Sequence, residues 1–293
     1  MRSMTTTRRL IIFTDLDGTL LDRETYSFKP AEPALRKIRE RGIPLILCSS
    51  KTRAEMELYR ERIGNHHPFI SENGGGIFIP RSYFSFPYPY DRETNGYLVL
   101  EVGTPYHRIL QVLSAIKKET RVPIKGFSDL SPADLVRLFH LKLQEAEFAK
   151  KREYDEPFLI EGSEMEAETV RKKIHAKGMN YAWGGRLHHL TGGNDKGKAI
   201  EILKKLYRNE FFSIETLGIG DSLNDVPMFQ AVDRPIFLRG NDACQPEIPF
   251  GIENLVTVDG IGPHAWNEAI LKALETADGR DSKRGKIQNQ DSP

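Results

Sequence analysis

The chain has 293 residues, 39% hydrophobic and 28% charged, which is ordinary composition for a soluble protein, long for one domain and comfortable for two. Its 42 basic and 41 acidic side chains leave a net charge of +1, so there is no electrostatic case for nucleic acid or an anionic membrane as a partner, and no apolar run approaches a membrane-spanning length. Two cysteines, Cys48 and Cys244, make neither a disulfide framework nor a metal-ligand spacing, and the polar start of the chain leads into no apolar signal core, so a cytoplasmic location is expected.

Residues 10–13, Leu-Ile-Ile-Phe, read as a strand buried on both faces of a parallel sheet. Asp15 and Asp17 follow, two apart and therefore on the same side of an extended chain, and Gly18 permits a sharp exit. Two like charges this close are tolerable when a hard divalent cation, Mg2+ first among them, sits between them. Taken alone, the stretch also reads as an Asp-Gly turn; an EF-hand loop fits poorly, because the glycine comes too early and no glutamate follows at the required place. Residues 30–41 form an amphipathic helix stopped by Gly42, and 43–48 a second apolar strand ending in Ser49, Ser50, Lys51 and Thr52. An open parallel sheet would set those polar residues beside Asp15, unless they only cap the helix that begins near Arg53. Residues 69–80 carry Asn73 and three glycines from Gly74, suited to a tight turn or a close approach to a ligand, and the aromatic, proline-containing stretch 83–90 reads as a hairpin or irregular excursion.

From residue 97 the pattern changes. A strand at 97–102, helices at 105–120, 131–138 and 143–150, a strand at 157–160, a helix at 163–176 and strands at 179–183 and 187–190 make a block large enough for its own small core. The first unit resumes at Thr191, Gly192 and Lys196. Gly192, Gly197 and Lys198 satisfy a phosphate-binding P-loop up to its last position, where Ala199 lacks the hydroxyl that would hold Mg2+. A second acidic strand end follows at Gly220, with Asp221, Asn224 and Asp225; an N-cap role for Asp221 is the plain alternative to a cation shared with Asp15 and Asp17. A helix at 226–231, strands at 235–238 and 255–258 and a closing helix at 262–276 complete the pattern, and the polar tail 277–293 is expected to be disordered. The fold class expected is α/β, a Rossmann-like doubly wound parallel sheet over 1–90 and 191–276 with an inserted α+β cap at 91–190.

Asp15-x-Asp17, the strand-end Ser49, Lys196, and Gly220-Asp221 with Asn224-Asp225 occur in an order that resembles the haloacid dehalogenase superfamily of phosphohydrolases. The resemblance implies that Asp15 attacks phosphorus, Asp17 is general acid and base, Ser49 and Lys196 bind phosphoryl oxygens, and Mg2+ is held by Asp15, the Asp17 carbonyl and Asp221, with Asn224 and Asp225 ordering its waters or Lys196. The position of the insert resembles the C2-type caps of that superfamily, of the C2B kind. Ser49 to Arg53, Ser71 to Gly76, Lys151 to Phe158 and Gly184-Gly185-Arg186 look like the mannosyl-3-phosphoglycerate phosphatase family, and Gly262-Pro263 with Trp266 agrees. That likeness implies a small phosphorylated glycosylglycerate as substrate. Glu153, Asp155 and Glu156 suit sugar hydroxyls, unless they are a solvated charged turn, and Arg186 suits a carboxylate bidentately. Ser50, Asn73, Gly74, Arg152, Thr191, Gly192 and His188 join the substrate-binding candidates, although His188 reads first as a packed or surface histidine rather than a direct contact. The competing readings are another sugar-phosphate phosphatase, of the sucrose- or trehalose-phosphate type, a P-loop module, and an idle binding protein. Oligomeric state is not legible.

Overall fold

A computed structural model describes residues 8–184, 186–240 and 251–287, with side chains to residue 276. The first part of the chain forms β1 (Arg9–Thr14), α1 (Glu32–Glu40), β2 (Leu45–Cys48), α2 (Arg53–Ile63), β3 (Phe69–Ser71), β4 (Gly76–Pro80), β5 (Arg92–Thr94) and β6 (Tyr97–Glu101). There follow α3 (Tyr106–Thr120), β7 (Ile124–Gly126), α4 (Pro132–Phe139), α5 (Leu143–Ala149), β8 (Asp155–Ile160), α6 (Glu164–Ala176), β9 (Asn180–Trp183) and β10 (His188–Thr191). The last part is α7 (Lys196–Phe211), β11 (Ile214–Gly220), α8 (Val226–Ala231), β12 (Arg234–Arg239), β13 (Val256–Asp259) and α9 (Gly262–Ile287). Among the described residues no helix is long and apolar enough to cross a membrane.

A nine-stranded sheet runs β13-β12-β11-β1-β2-β3-β4-β6-β5, parallel from β13 to β3 and antiparallel beyond. Strand β1 lies at its centre, and alternate residues of β1 enter two different cores. Leu10 and Ile12 pack with α1 and α9, whereas Ile11 and Phe13 pack with α7 and α8. The continuous apolar run is therefore the mark of a sheet covered on both faces. Trp266, fully buried on α9, donates its indole N–H to Thr14 Oγ1 at 2.9 Å and locks the closing helix under the end of β1.

The second sheet, β7-β8-β10-β9, is antiparallel, and α3 and α6 cover one of its faces. Residues 92–101, placed in the insert by the sequence pattern, extend the large sheet instead: β6 pairs with β4, and β5 pairs with β6 at the sheet's edge. The period-two run 97–101 looks the same in either sheet, and only its partner differs. Strand β7, three residues long, carries too little pattern to be read in advance. Stretch 83–90 contains no strand, and Phe84 within it is buried in the α7 core. Helix α9 continues to Ile287, where a disordered tail from 277 was expected; residues 288–293, like Cys244, lie outside the described residues.

One carboxylate makes several of the contacts between the two units. Glu72, completely buried in the turn after β3, accepts the amide N–H groups of Glu153 (3.0 Å), Tyr154 (2.8 Å) and Asp155 (2.9 Å) where the chain enters β8. Burial pushes the Glu72 carboxyl up to about 8, while the nearby Arg152 charge and these N–H donors pull in the opposite direction. Beside it Gly74 has φ +88°, and a Cβ there would stand 2.1 Å from the Asp195 carbonyl oxygen, so the backbones of the two core segments touch at a position only glycine fits. Glu72→Ala should strand three buried amides and cost at least about 3 kcal/mol, at about 1 kcal/mol or more for each donor. Denaturant unfolding measures the loss, and hydrogen exchange should rise first at residues 153–155.

Candidate active site

The site lies at the carboxyl ends of β1, β2 and β11, where the chain order on the sheet reverses. Thr14 pairs with Ile219, and the Asp15 amide donates to the Ile219 carbonyl at 2.9 Å, which sets Asp15 beside Gly220 and Asp221. Carboxylate oxygens of Asp15, Asp221 and Asp225 lie within 4.8 Å of one another, and all three residues are buried. Three buried carboxylates repel one another. The structure answers with Lys196, which opens α7, is 0% exposed, and donates at 2.7 Å to both Asp15 Oδ1 and Asp225 Oδ1. Burial works against that ammonium, but Asp15 and Asp225 on either side hold its pKa above the ordinary lysine value. For Asp15, burial outweighs Lys196 and, with Asp225 and Asp221 adding repulsion, keeps the pKa well above the usual carboxylate range.

Asp225 is an organiser. Its second oxygen accepts the amides of Asp221 and Ser222, both at 3.1 Å, so it orients the loop and Lys196 together. Asp221 accepts from Thr19 Oγ1 at 2.9 Å and from the Arg23 guanidinium at 2.5 Å. Burial and the Asp225 charge push its carboxyl up to about 6 in spite of both donors. An all-oxygen, anionic set of this kind suits a hard divalent cation, held by Asp15 and Asp221 with Asp225 close by. Asn224 turns away from the cluster and donates to Asn73 Oδ1 at 3.1 Å. Asp17 points its carboxylate to the Lys51 ammonium at 2.9 Å, while its other oxygen, Oδ1, is buried without a partner. Lys51 is itself nearly buried, yet Asp17 and Glu55 keep its pKa well above ordinary.

Ser49 is buried directly after β2, and its hydroxyl accepts the Lys51 amide at 3.3 Å; the residue that caps α2 is Thr52, in a reciprocal box with Glu55. Hence the helix-capping reading holds for Thr52 and not for Ser49. Ser50 lines the cleft above, and its carbonyl accepts from Arg152 at 2.7 Å. The P-loop pattern closes no cradle. Asp195 caps α7 through the Lys198 amide at 2.8 Å, Lys198 is exposed, and Lys196 is the lysine that enters the site.

The cleft between sheet ends and insert, about 840 Å3 and partly open to solvent, runs from Asp15 and Asp17 to Arg186 and His189. Arg23, Lys51, Arg152 and Arg186 line it together with Asp15, Asp17 and Glu55. Arg186 is exposed, with its guanidinium over the Phe139 ring at 5.8 Å, whereas Arg152 is buried and braced by the Ala149 and Ser50 carbonyls.

The expected carboxylate cluster is placed differently from the pattern. Glu153 pairs with Arg53 and Arg92, and Glu156 accepts from the Tyr106 hydroxyl at 2.6 Å and the Ser128 hydroxyl and amide; neither lines the cleft. Buried carboxylates need donors, and these find them inside the protein. Asp155, fully buried, accepts from Asn73 at 2.9 Å and His189 Nδ1 at 2.8 Å. His188 faces the other side of its strand, against Phe158, Trp183 and the Tyr181 hydroxyl, and burial lowers its pKa to about 4. Its neighbour His189 lines the cleft instead, a one-residue parity error. Thr191 is buried at the end of β10, and Gly192 is a packing position where a Cβ would meet Thr104 Oγ1 at 2.0 Å. Lys51 stands beside Asp17 at the strand end, near where the sequence placed it. Arg23, Glu72 and His189 were missed, and none of the three carries a sequence signal of its own.

A doubly wound sheet with an inserted cap and buried aspartates at two adjacent strand ends defines a phosphohydrolase scaffold. The sequence profile of the haloacid dehalogenase-like hydrolases matches residues 12–241, and the chain belongs to that family. It is 48% identical to the glucosyl-3-phosphoglycerate/mannosyl-3-phosphoglycerate phosphatase of Methanococcoides burtonii, over 90% of this chain and 97% of that one. A protein of the same name from Persephonella marina is 39% identical over 90% of this chain and 97% of its own. The family expected from the sequence, that of the mannosyl-3-phosphoglycerate phosphatases, is thus the chain's own. Among solved structures, a haloacid dehalogenase-like hydrolase from B. subtilis shares the fold, with a TM-score of 0.61 at 20% identity, covering 90% of this chain and 97% of that one.

Because a proton on Asp221 competes with any cation there, divalent-metal affinity should fall as the pH drops below about 6, by up to about tenfold per unit for one competing proton. Calorimetric Mg2+ titration of the metal-free protein at pH 5 and pH 7 measures the slope; equal affinities would remove Asp221 from the site.

Proposed function

We propose that the protein is a Mg2+-dependent phosphatase that hydrolyses mannosyl-3-phosphoglycerate, and glucosyl-3-phosphoglycerate with it, to the glycosylglycerate and inorganic phosphate. The observation that carries this reading is the Asp15, Lys196, Asp225 and Asp221 constellation opening into the cleft beneath the insert. A substrate with a phosphate and a carboxylate is multiply anionic, and Arg23, Lys51 and Arg186 supply the complementary charge beyond the phosphoryl site. The names of the two curated relatives support the same substrate class.

Asp15 attacks phosphorus, forming an Asp15 O–P bond as the P–O bond to the glycerate breaks. Asp17 delivers a proton to the leaving oxygen through Oδ1, the oxygen with no hydrogen-bond partner among the described residues, while Lys51 holds the other. Asp17 then takes a proton from the water that attacks the aspartyl phosphate, releasing phosphate and restoring Asp15. Lys196 and Ser49 hold the non-bridging oxygens, and Asp225 keeps Lys196 aimed. Bound at Asp15 and Asp221, Mg2+ would neutralise phosphoryl charge during alignment. The insert excludes water and reads the rest of the molecule, since the strand-end residues recognise a phosphoryl group alone.

Asp15→Asn should fold, with a melting temperature near that of the wild type, yet lose turnover by several orders of magnitude. Wild-type phosphate release across glycosyl phosphoglycerates, sucrose phosphate, trehalose phosphate and hexose phosphates with Mg2+ should be fastest for the first group. Faster release from any of the others would overturn the substrate assignment, and near wild-type release by Asp15→Asn would overturn the covalent route.

Arg186→Lys should reduce kcat/KM for the glycerate conjugate by about tenfold or more, and for an aryl phosphate far less, because an ammonium cannot form two parallel hydrogen bonds to a carboxylate. Parallel losses on both substrates would remove the carboxylate-reading role from Arg186.

A further inference from the structure

His189 is presented to the cleft in a way that no packing role requires. Its ring is 3% exposed, and Nδ1 lies 2.8 Å from Asp155 Oδ2. Asp155 is fixed in turn by Asn73 Nδ2 at 2.9 Å, with the Arg152 guanidinium 3.8 Å away. Asp155 accepts at Oδ2, so Nδ1 carries the proton, and in the neutral ring this tautomer leaves the lone pair on Nε2. Among the described residues no protein hydrogen bond engages Nε2. The neighbour opposite is Gly184, where a Cβ would stand 3.0 Å from Nε2; its φ lies outside the left-handed region, so close space and not backbone conformation sets glycine apart there. Both Gly184 and His189 line the same cleft as Asp15 and Arg186.

We infer that His189, held in one tautomer by Asp155 and left uncovered by Gly184, accepts a hydroxyl of the substrate's sugar and is a residue by which the insert recognises that the phosphoglycerate is glycosylated. The inference rests on the substrate class proposed above. Its chemistry is specific: an imidazole with a bare Nε2 accepts an O–H and offers nothing to a phosphate or carboxylate, for which the cleft already provides Lys51 and Arg186. Asp155 acts through His189 as a positioning residue, which gives this buried carboxylate a use that direct contact with sugar would not.

The test compares kcat/KM for mannosyl-3-phosphoglycerate with that for 3-phosphoglycerate, which keeps phosphate and carboxylate and lacks the sugar. In the wild type the glycosylated substrate should be preferred. Gly184→Ala, which adds one methyl over Nε2, and His189→Phe, which removes the acceptor, should each cut that preference about tenfold or more, largely through KM. His189→Gln, which restores an acceptor near the same place, should retain most of it. Should His189→Phe fail to fold, Gly184→Ala decides alone. Nitrogen-15 spectra of the histidine rings in the free protein should show Nδ1 protonated and Nε2 bare. A wild-type preference that survives in Gly184→Ala and His189→Phe, or a bare Nδ1, overturns the inference and leaves the proposed function standing. A wild type that does not hydrolyse the glycosylated substrate overturns both.

Discussion

Everything at the site depends on how three buried carboxylates are made compatible. Asp15, Asp221 and Asp225 converge because β1 and β11 are parallel neighbours in register, and convergence without compensation would expel them from the interior. Lys196 bridges two of them, and Arg23 with Thr19 serves the third. This is electrostatic preorganisation built into the fold: Asp15 is fixed with its counter-charge at hydrogen-bond distance, so the charged groups are oriented before any ligand arrives.

The same geometry accounts for what could be read in advance. Each core motif sits at the end of a strand whose apolar run is long and flanked by turn residues, so local pattern and global position coincide, as they do at Phe13-Thr14-Asp15 and Ile219-Gly220-Asp221. The insert was legible as alternating elements but not as contacts. Glu153, Asp155 and Glu156 are adjacent in sequence, and their partners come from α2 and β5, from the turn after β3, and from α3, none of which has a sequence signature. His188 and His189 are indistinguishable by residue type. Strand parity separates them, and parity can be assigned only once the strand's pairing is known. Strand β6 illustrates the same limit, since its alternation fits either sheet and its pairing with β4 makes the choice.

The division of labour follows from these contacts. The sheet ends supply the charged centre, rigidly and with most hydrogen-bonding capacity already used. The insert supplies the facing wall, where Arg186 is exposed while Arg152 and His189 are braced. The buried charged centre and the facing wall of the cleft are thus built on different elements of the fold.

The Glu72 contact has a consequence for modularity. An inserted domain is usually pictured as a cassette that can be exchanged by cutting at its two linkers. Here the acceptor for the insert's own amides at residues 153–155 belongs to the other unit, as do Asn73, which braces Asp155, and Ser50, whose carbonyl holds Arg152. A chimera joined at the linkers alone would present a foreign insert to a buried carboxyl with no amides to receive, leaving that polar group unsatisfied. The transferable module is therefore discontinuous, consisting of the insert together with the turn after β3, and shuffling of such domains must carry that turn along.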